Sequence, residues 1–456
     1  MNMLVAVDIL LRRSSMSGHR LELIRKPAFS VILAWLLVLG ACGVTRANDK
    51  EKSYAAVRTE CGYIAQCSMS SANRTTRNVP PDAPGYGALN DWRIGNGRAD
   101  SVEPATAAIG AVGLLYGFNR MRLAGRSSNI DGEVRVVLTA YFQHWILDPA
   151  NHAGAAMPSL AKYYADGSVQ SISAGSVPAT ALTLIAMRKY CEISPNGDRT
   201  KYQRTAFTLA CGMGNYVDAN VGSWTSDRSY AVAALNCLAH WALAIGDKAT
   251  ADHYAIQART ISALLAKAQD NGAWHTYFDY IDAEGRGVFD RHNVDQTGFA
   301  PYEFNARNAS EPFAVDVAHW WDTGLAFRGE PLTVPSGPYA GGVCQSIPDD
   351  YGRAYPGDSF QLADAEWKIA RAHHDQKLAA KALWHYRFAL SPIGASTGSG
   401  SWVDNKSVDK FAGGFIDWVD NAGRRPTIWQ RFVDTSGYML IATEEVVFDN
   451  EVDWGA

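Results

Sequence analysis

The chain has 456 residues, a formal net charge of −4, 47% hydrophobic and 19% charged residues, a balance that excludes a largely disordered protein. Near-neutral charge without a long Lys/Arg block excludes a dedicated nucleic-acid binder. At about 100–200 residues per domain, the length suits two or three ordinary domains or one large helical toroid or barrel.

Residues 1–26 carry Arg12, Arg13, Arg20, Arg25 and Lys26, and an apolar run follows from Ala28 to Ala41. A basic stretch before an apolar run shorter than a membrane span reads as an export signal. Thr45-Arg46-Ala47 puts small residues at −3 and −1 of a cleavage site, which predicts a signal segment over 1–47. Leu39-Gly40-Ala41-Cys42 resembles a bacterial lipobox, in which Cys42 would be acylated and tether the protein to a membrane. An uncleaved anchor is the third reading. Export predicts a periplasmic, outer-membrane or secreted protein, with 48–456 as a single domain.

Six further cysteines follow: Cys61, Cys67, Cys191, Cys211, Cys237 and Cys344. An even number in an oxidising compartment permits disulfides, and Cys61 and Cys67 are the nearest pair in sequence. Cys237, inside a helical pattern, reads as a buried free thiol. No CxxC or HExxH supports a zinc site, so no metal or cofactor is expected. The chain also lacks a GxGxxG, a Walker loop and a GxSxG elbow, which disfavours the common nucleotide and serine-hydrolase chemistries.

A helix-start signature then recurs six times: a Ser, Thr or Asp cap, an acid or Pro, and a run of small residues. It appears at Ser101-Val102-Glu103-Pro104-Ala105, Ser176-Val177-Pro178-Ala179 and Thr225-Ser226-Asp227-Arg228. It returns at Ser310-Glu311-Pro312, Asp358-Ser359-Phe360 and Asp434-Thr435-Ser436. Behind the third start, Tyr230, Ala234, Cys237, Leu238 and Trp241 form one apolar face at helical period. More polar amphipathic stretches lie between the starts. Tyr254, Ala258, Ile261 and Leu265 share a side, and 134–147, 202–213 and 376–390 look similar. Crowded small-residue helices alternating with amphipathic ones, six times over, predict an all-α (α/α)6 toroid of inner and outer helices. The Gly-rich stretch 391–420, with Trp402 and Asp404, reads as a lid, a subsite wall or simple turns.

In a toroid the inner helices run the same way, so their first turns meet on one face. Asp100, Glu103, Asp227, Glu311, Asp358 and Asp434 mark those ends. Each alone is explained as a cap or a helix-dipole partner. Together, beside Trp92, Trp224, Trp274, Tyr277, Tyr302, Tyr355 and Trp429, they are what polysaccharide hydrolysis needs. Two carboxyls roughly 6.5–9.5 Å apart let one protonate the leaving oxygen while the other activates water. Aromatic rings stack on sugar faces. Glu103 is the predicted proton donor and Asp227 the group holding the sugar, with Glu311 or Asp358 as the second member of the acid/base pair.

This layout resembles the (α/α)6 carbohydrate-active enzymes, and most of all the family eight glycoside hydrolases of endoglucanase and chitosanase type. Glu103 stands where those enzymes carry a catalytic acid, but in Ser-Val-Glu-Pro-Ala rather than Ser-Glu-Gly-x-Gly-Tyr. Thr225-Ser226-Asp227-Arg228-Ser229 is similar to their Ala-Thr-Asp-x-Asp, with Ser229 replacing the second Asp. The resemblance covers most of 85–445 and implies a glycoside hydrolase acting on a polysaccharide. A polysaccharide lyase is the alternative, with His275, Tyr277, Arg291 and His292 supplying a base and a carboxylate neutraliser. A non-catalytic sugar-binding protein of exopolysaccharide assembly is the third class.

Overall fold

A computed structural model describes residues 50–51, 53–70, 79–90, 101–126, 130–194, 199–272, 275–289, 294–323, 332–334, 336, 340–343, 353–390, 415–416, 419–420 and 431–455. Two compact units divide the chain, Met1–Lys52 and Ser53–Ala456. Of the first only Lys50 and Glu51 are described, so the signal segment and Cys42 lie outside the described residues, as do Cys344 and 391–414.

The described residues of the second unit hold twelve α-helices: α1 (53–67), α2 (Pro104–Leu123), α3 (Ile130–Ala140), α4 (Val177–Ile193), α5 (Arg199–Asn220) and α6 (Thr225–Ala244). There follow α7 (Lys248–Lys267), α8 (Val294–Glu303), α9 (Pro312–Thr323), α10 (Pro356–His373), α11 (Gln376–Leu390) and α12 (Val433–Ala442). Helices α2, α4, α6, α8, α10 and α12 each pack on the next, and α12 packs back on α2 to close a ring. The odd-numbered helices return the chain outside it. This is the (α/α)6 toroid.

Burial explains which helices are inner. Helix α2 buries 14 of its residues, spread around its whole circumference, and its Ala and Gly residues allow neighbours on both sides. Helix α7 buries only Ala251, Tyr254, Ala258, Ile261 and Leu265, the single stripe expected of an outer helix. Close approach is greatest where α12 meets α2. A Cβ on Gly113 would fall 2.5 Å from the Gly437 carbonyl oxygen, so the two backbones touch. Gly113→Ala is therefore expected to cost about 1–3 kcal/mol by overpacking, read as a lower denaturation midpoint in urea.

Five of the six sequence signatures open inner helices. The fourth does not: Ser310-Glu311-Pro312 opens the outer helix α9, and the inner helix of that pair is α8. Short strands pin the loops between helices. Strand β1 (Ser101–Val102) pairs antiparallel with β2 (Ala161–Tyr163), which pairs with β3 (Val169–Ile172). Strands β4 (Tyr280–Ile281) and β5 (Gly287–Val288) form a hairpin between α7 and α8. Strands β6 (Arg353–Ala354) and β8 (Val419–Asp420) pair, as do β7 (Phe415–Ile416) and β9 (Arg431–Phe432).

Cys61 and Cys67 are buried on α1, and Cys191 and Cys237 are buried elsewhere. Six residues apart on one helix, they lie about 9 Å apart along its axis and about 120° around it, so they form no disulfide with one another. Among the described residues, no helix is long and apolar enough to cross a membrane.

Candidate active site

Four inner helices carry a carboxylate at their start, three in the first turn and Glu103 at the N-cap. Pairing of β1 with β2 buries Val102 completely and sets Glu103 as the N-terminal residue of α2, ahead of Pro104. Its side chain does not cap the helix; Oε2 accepts a 3.4 Å hydrogen bond from Thr106 Oγ1. The side chain is open to solvent, yet partial burial raises its pKa, with Thr106 pulling the other way.

Asp227 lies in the first turn of α6, where a helix dipole favours the ionised form. Burial wins: desolvation pushes its pKa to about 6. The turn is fixed from behind by Thr225, whose N–H donates to Asp279 O at 2.8 Å and whose hydroxyl donates to Phe278 O at 2.5 Å. The preceding residue, Trp224, is half-buried, with its ring 4.8 Å from that of Tyr280. This pair forms an aromatic wall one helical turn from Asp227.

Asp358, 5% exposed, occupies the first turn of α10, and Asp434 that of α12. Gly357 abuts Thr435, and Gly110 abuts Val433, so the starts of α10 and α12 adjoin, and α12 enters beside α2. In ring order Glu103, Asp227 and Asp358 stand at the starts of alternate inner helices, at the end of the ring termed its mouth.

One turn deeper lie groups that the sequence signature did not single out: Tyr230 on α6, Gln361 on α10 and Tyr438 on α12. The spacings Asp227–Tyr230 and Asp434–Tyr438 are i,i+3 and i,i+4, which is the legible trace of a shared face. Tyr438 is held well above the ordinary tyrosine range by burial, then by the charges of Glu303, Tyr230, Asp434 and Asp358. Tyr230 sets its edge on Phe304 at 4.8 Å, and Phe304 meets Trp454 at 4.9 Å. Beyond them, Lys368 joins Glu303, Asp364 and Glu445, three buried acids around one ammonium.

Glu311 and two of the expected sugar-stacking aromatics belong elsewhere. Glu311 starts an outer helix, accepts from Tyr302 at 2.9 Å and Tyr277 at 3.4 Å, and pairs with Arg307. Its oxygens are occupied by this cluster. Tyr277 and Tyr302 are each 1% exposed, packed on one another and on Phe313, so no sugar can stack on them. Burial pushes the Tyr277 phenol up to about 12. Tyr355 precedes α10 and is also buried. Trp92, Trp274, Arg291 and Trp429 lie outside the described residues. No group of three or more His, Cys, Asp or Glu able to hold a metal occurs among the described residues.

No family model and no curated protein sequence matches this chain. Solved structures do. Cellobiose 2-epimerase from Spirochaeta thermophila is 8% identical, with a TM-score of 0.59 over 89% of this chain and 98% of that one. A D-mannose isomerase is 9% identical at TM-score 0.55, over 88% and 98%. An unsaturated glucuronyl hydrolase specific for heparin is 10% identical at TM-score 0.50, over 88% and 98%. These are (α/α)6-toroid carbohydrate-active enzymes, and at such identities the likeness is one of fold.

Proposed function

We propose that the protein is a carbohydrate-active enzyme, and specifically a glycoside hydrolase working with a carboxylate acid/base pair at the mouth of the inner ring. The observation that carries this reading is Asp227. Its carboxyl is pushed to about 6 by burial, beside a half-buried Trp224–Tyr280 wall. A glycosidic oxygen is a poor leaving group unless protonated, because it would depart as a strongly basic alkoxide. Cleavage near neutral pH therefore calls for a carboxyl with a raised pKa. Asp227 meets that need better than an exposed acid does, and takes the proton-donor role that the sequence layout gave to Glu103. Glu103 or Asp358, across the mouth, then activates water as the second carboxylate.

The lyase reading draws less support. Of its two described candidate bases, Tyr277 is buried and holds its proton to about pH 12, so little phenolate is available at neutral pH, and His275 is exposed on the loop before it. The toroids of similar fold include an epimerase and an isomerase, so the test separates four outcomes. The purified chain is incubated with neutral, amino-sugar and uronic polysaccharides and their oligosaccharides. New reducing ends without ultraviolet absorbance are expected. Unsaturated products mean a lyase, and an altered sugar without new ends means an epimerase. Binding without turnover means a sugar-binding protein. Any of the last three overturns the hydrolase reading.

A further inference from the structure

Far from the mouth, a cavity of about 590 Å³ opens between α7, the turn joining α8 to α9, the end of α10 and the C-terminal tail. Asp358 and Arg371 are thirteen residues apart on α10, which puts the cavity about 20 Å along the barrel from the carboxylate mouth. The volume falls within the about 300–1,000 Å³ typical of small-molecule sites.

Its lining is built rather than incidental. Asn305 adopts a left-handed backbone at φ 54, a conformation that Asn tolerates better than other residues with a Cβ. Its Oδ1 accepts from Lys368 Nζ at 3.2 Å and from the Trp454 N–H at 3.4 Å, so the tail and α10 hold it in place. With that oxygen taken, its amide NH2 is what it offers a ligand. Asn308 is arranged alike: its Oδ1 accepts from the Ser310 N–H and hydroxyl. Arg307, Lys368 and Arg371 converge from two elements, against the single lining carboxylate of Glu451.

The cations differ in availability. Lys368 is buried and fully engaged, its charge compensated by Asp364 and Glu445. Arg307 is fixed by Glu311. Arg371 is 39% exposed and its contacts are long, 3.7 Å to Asp449 and 3.6 Å to Glu451. Such screened pairs are worth little, so Arg371 can exchange them for a ligand at small cost. Its planar fork matches a carboxylate. Glu451 and the two amides suit hydroxyls, and Glu451 together with Asp449 at the rim disfavours a dianion relative to a monoanion.

We propose that this cavity is a second binding site, separate from the mouth, for a small carboxylate-bearing sugar of hexuronate type. Calorimetric titration of the full chain with sodium glucuronate tests it, with glucose and inorganic phosphate at matched ionic strength as comparison probes. Glucuronate is expected to bind, glucose at least about tenfold more weakly. Arg371→Gln should weaken glucuronate binding by about tenfold or more while leaving the melting temperature unchanged. Asp227→Asn, at the mouth, should leave that binding intact. Absent binding, equal binding of glucose, tighter binding of phosphate, an unaffected Arg371→Gln or loss in Asp227→Asn would each overturn the proposal.

Discussion

Asp227→Asn is expected to lower turnover on a responsive polysaccharide by about 10²–10⁴, the usual loss on removing a general acid. The variant should remain folded. A cap or dipole partner would show the reverse pattern, a stability loss of about 0.5–2 kcal/mol with near-normal turnover. The pH dependence adds a second readout. An acid that donates its proton acts in its protonated form, so wild-type activity should fall as pH rises through about 6, the value to which burial lifts this carboxyl. Asn has no proton to lose, so that limb should flatten in the variant. Stability carries its own sign. Because the folded pKa lies above the ordinary carboxylate value, Asp227 costs the native state stability as pH rises from about 4 toward 6. The Asn variant is thus expected to melt no lower than wild type at pH 7. A folded Asp227→Asn protein with near-normal turnover would return this residue to a structural role and move the acid assignment to Glu103.

The inner helices were readable where local chemistry marks a helix start. Glu103-Pro104, Ser176 with Pro178 and the Thr225-Ser226-Asp227 run each announce one, because caps and first-turn residues answer to backbone groups within three or four positions. The same locality explains the misassigned start. Ser310-Glu311-Pro312 opens a genuine helix, but nothing in those residues records whether its neighbours lie on one side or both. The inner helix α8 was missed for the opposite reason. It holds Gly298 and Pro301, poor helix formers, and Gly298 is required because a Cβ there would fall 2.4 Å from the Trp321 indole nitrogen. Tyr277 and Tyr302 show the limit for the site. Aromatic residues in a loop-rich stretch serve sugar stacking and core packing equally well in sequence, and only burial separates the two. The buried acids were beyond local reading altogether, since Glu303, Asp364, Lys368 and Glu445 come from three separate segments.

That buried cluster leads to the other large expected effect. Lys368 Nζ donates to Glu303 O at 2.5 Å and lies 3.2 Å from Asp364 and 3.6 Å from Glu445. Lys368→Met keeps most of the stem's volume but strips the ammonium from among three buried carboxyls. Breaking a buried ion pair from one side costs about 3–5 kcal/mol, because the remaining charge is left uncompensated. Here the loss should depend on pH. Burial, with Asp364 adding to it, pushes Glu445 up to about 8. Burial likewise raises Asp364 and holds Glu303 well above its ordinary range, Lys368 opposing the rise in each. Carboxyls with raised folded pKa values stabilise fully below the ordinary value of about 4.3, and that contribution drains as pH climbs through the folded value. Wild type should therefore melt lower at pH 8 than at pH 5. Without the ammonium the acids hold their protons to still higher pH, so ionising them costs more. At pH 5 Glu445, pushed up to about 8, is largely protonated and needs no cation. The melting deficit of Lys368→Met against wild type should accordingly be small at pH 5 and large at pH 8, measured by thermal unfolding in matched buffers. An equal deficit at both values would mean that Lys368 contributes packing rather than charge compensation.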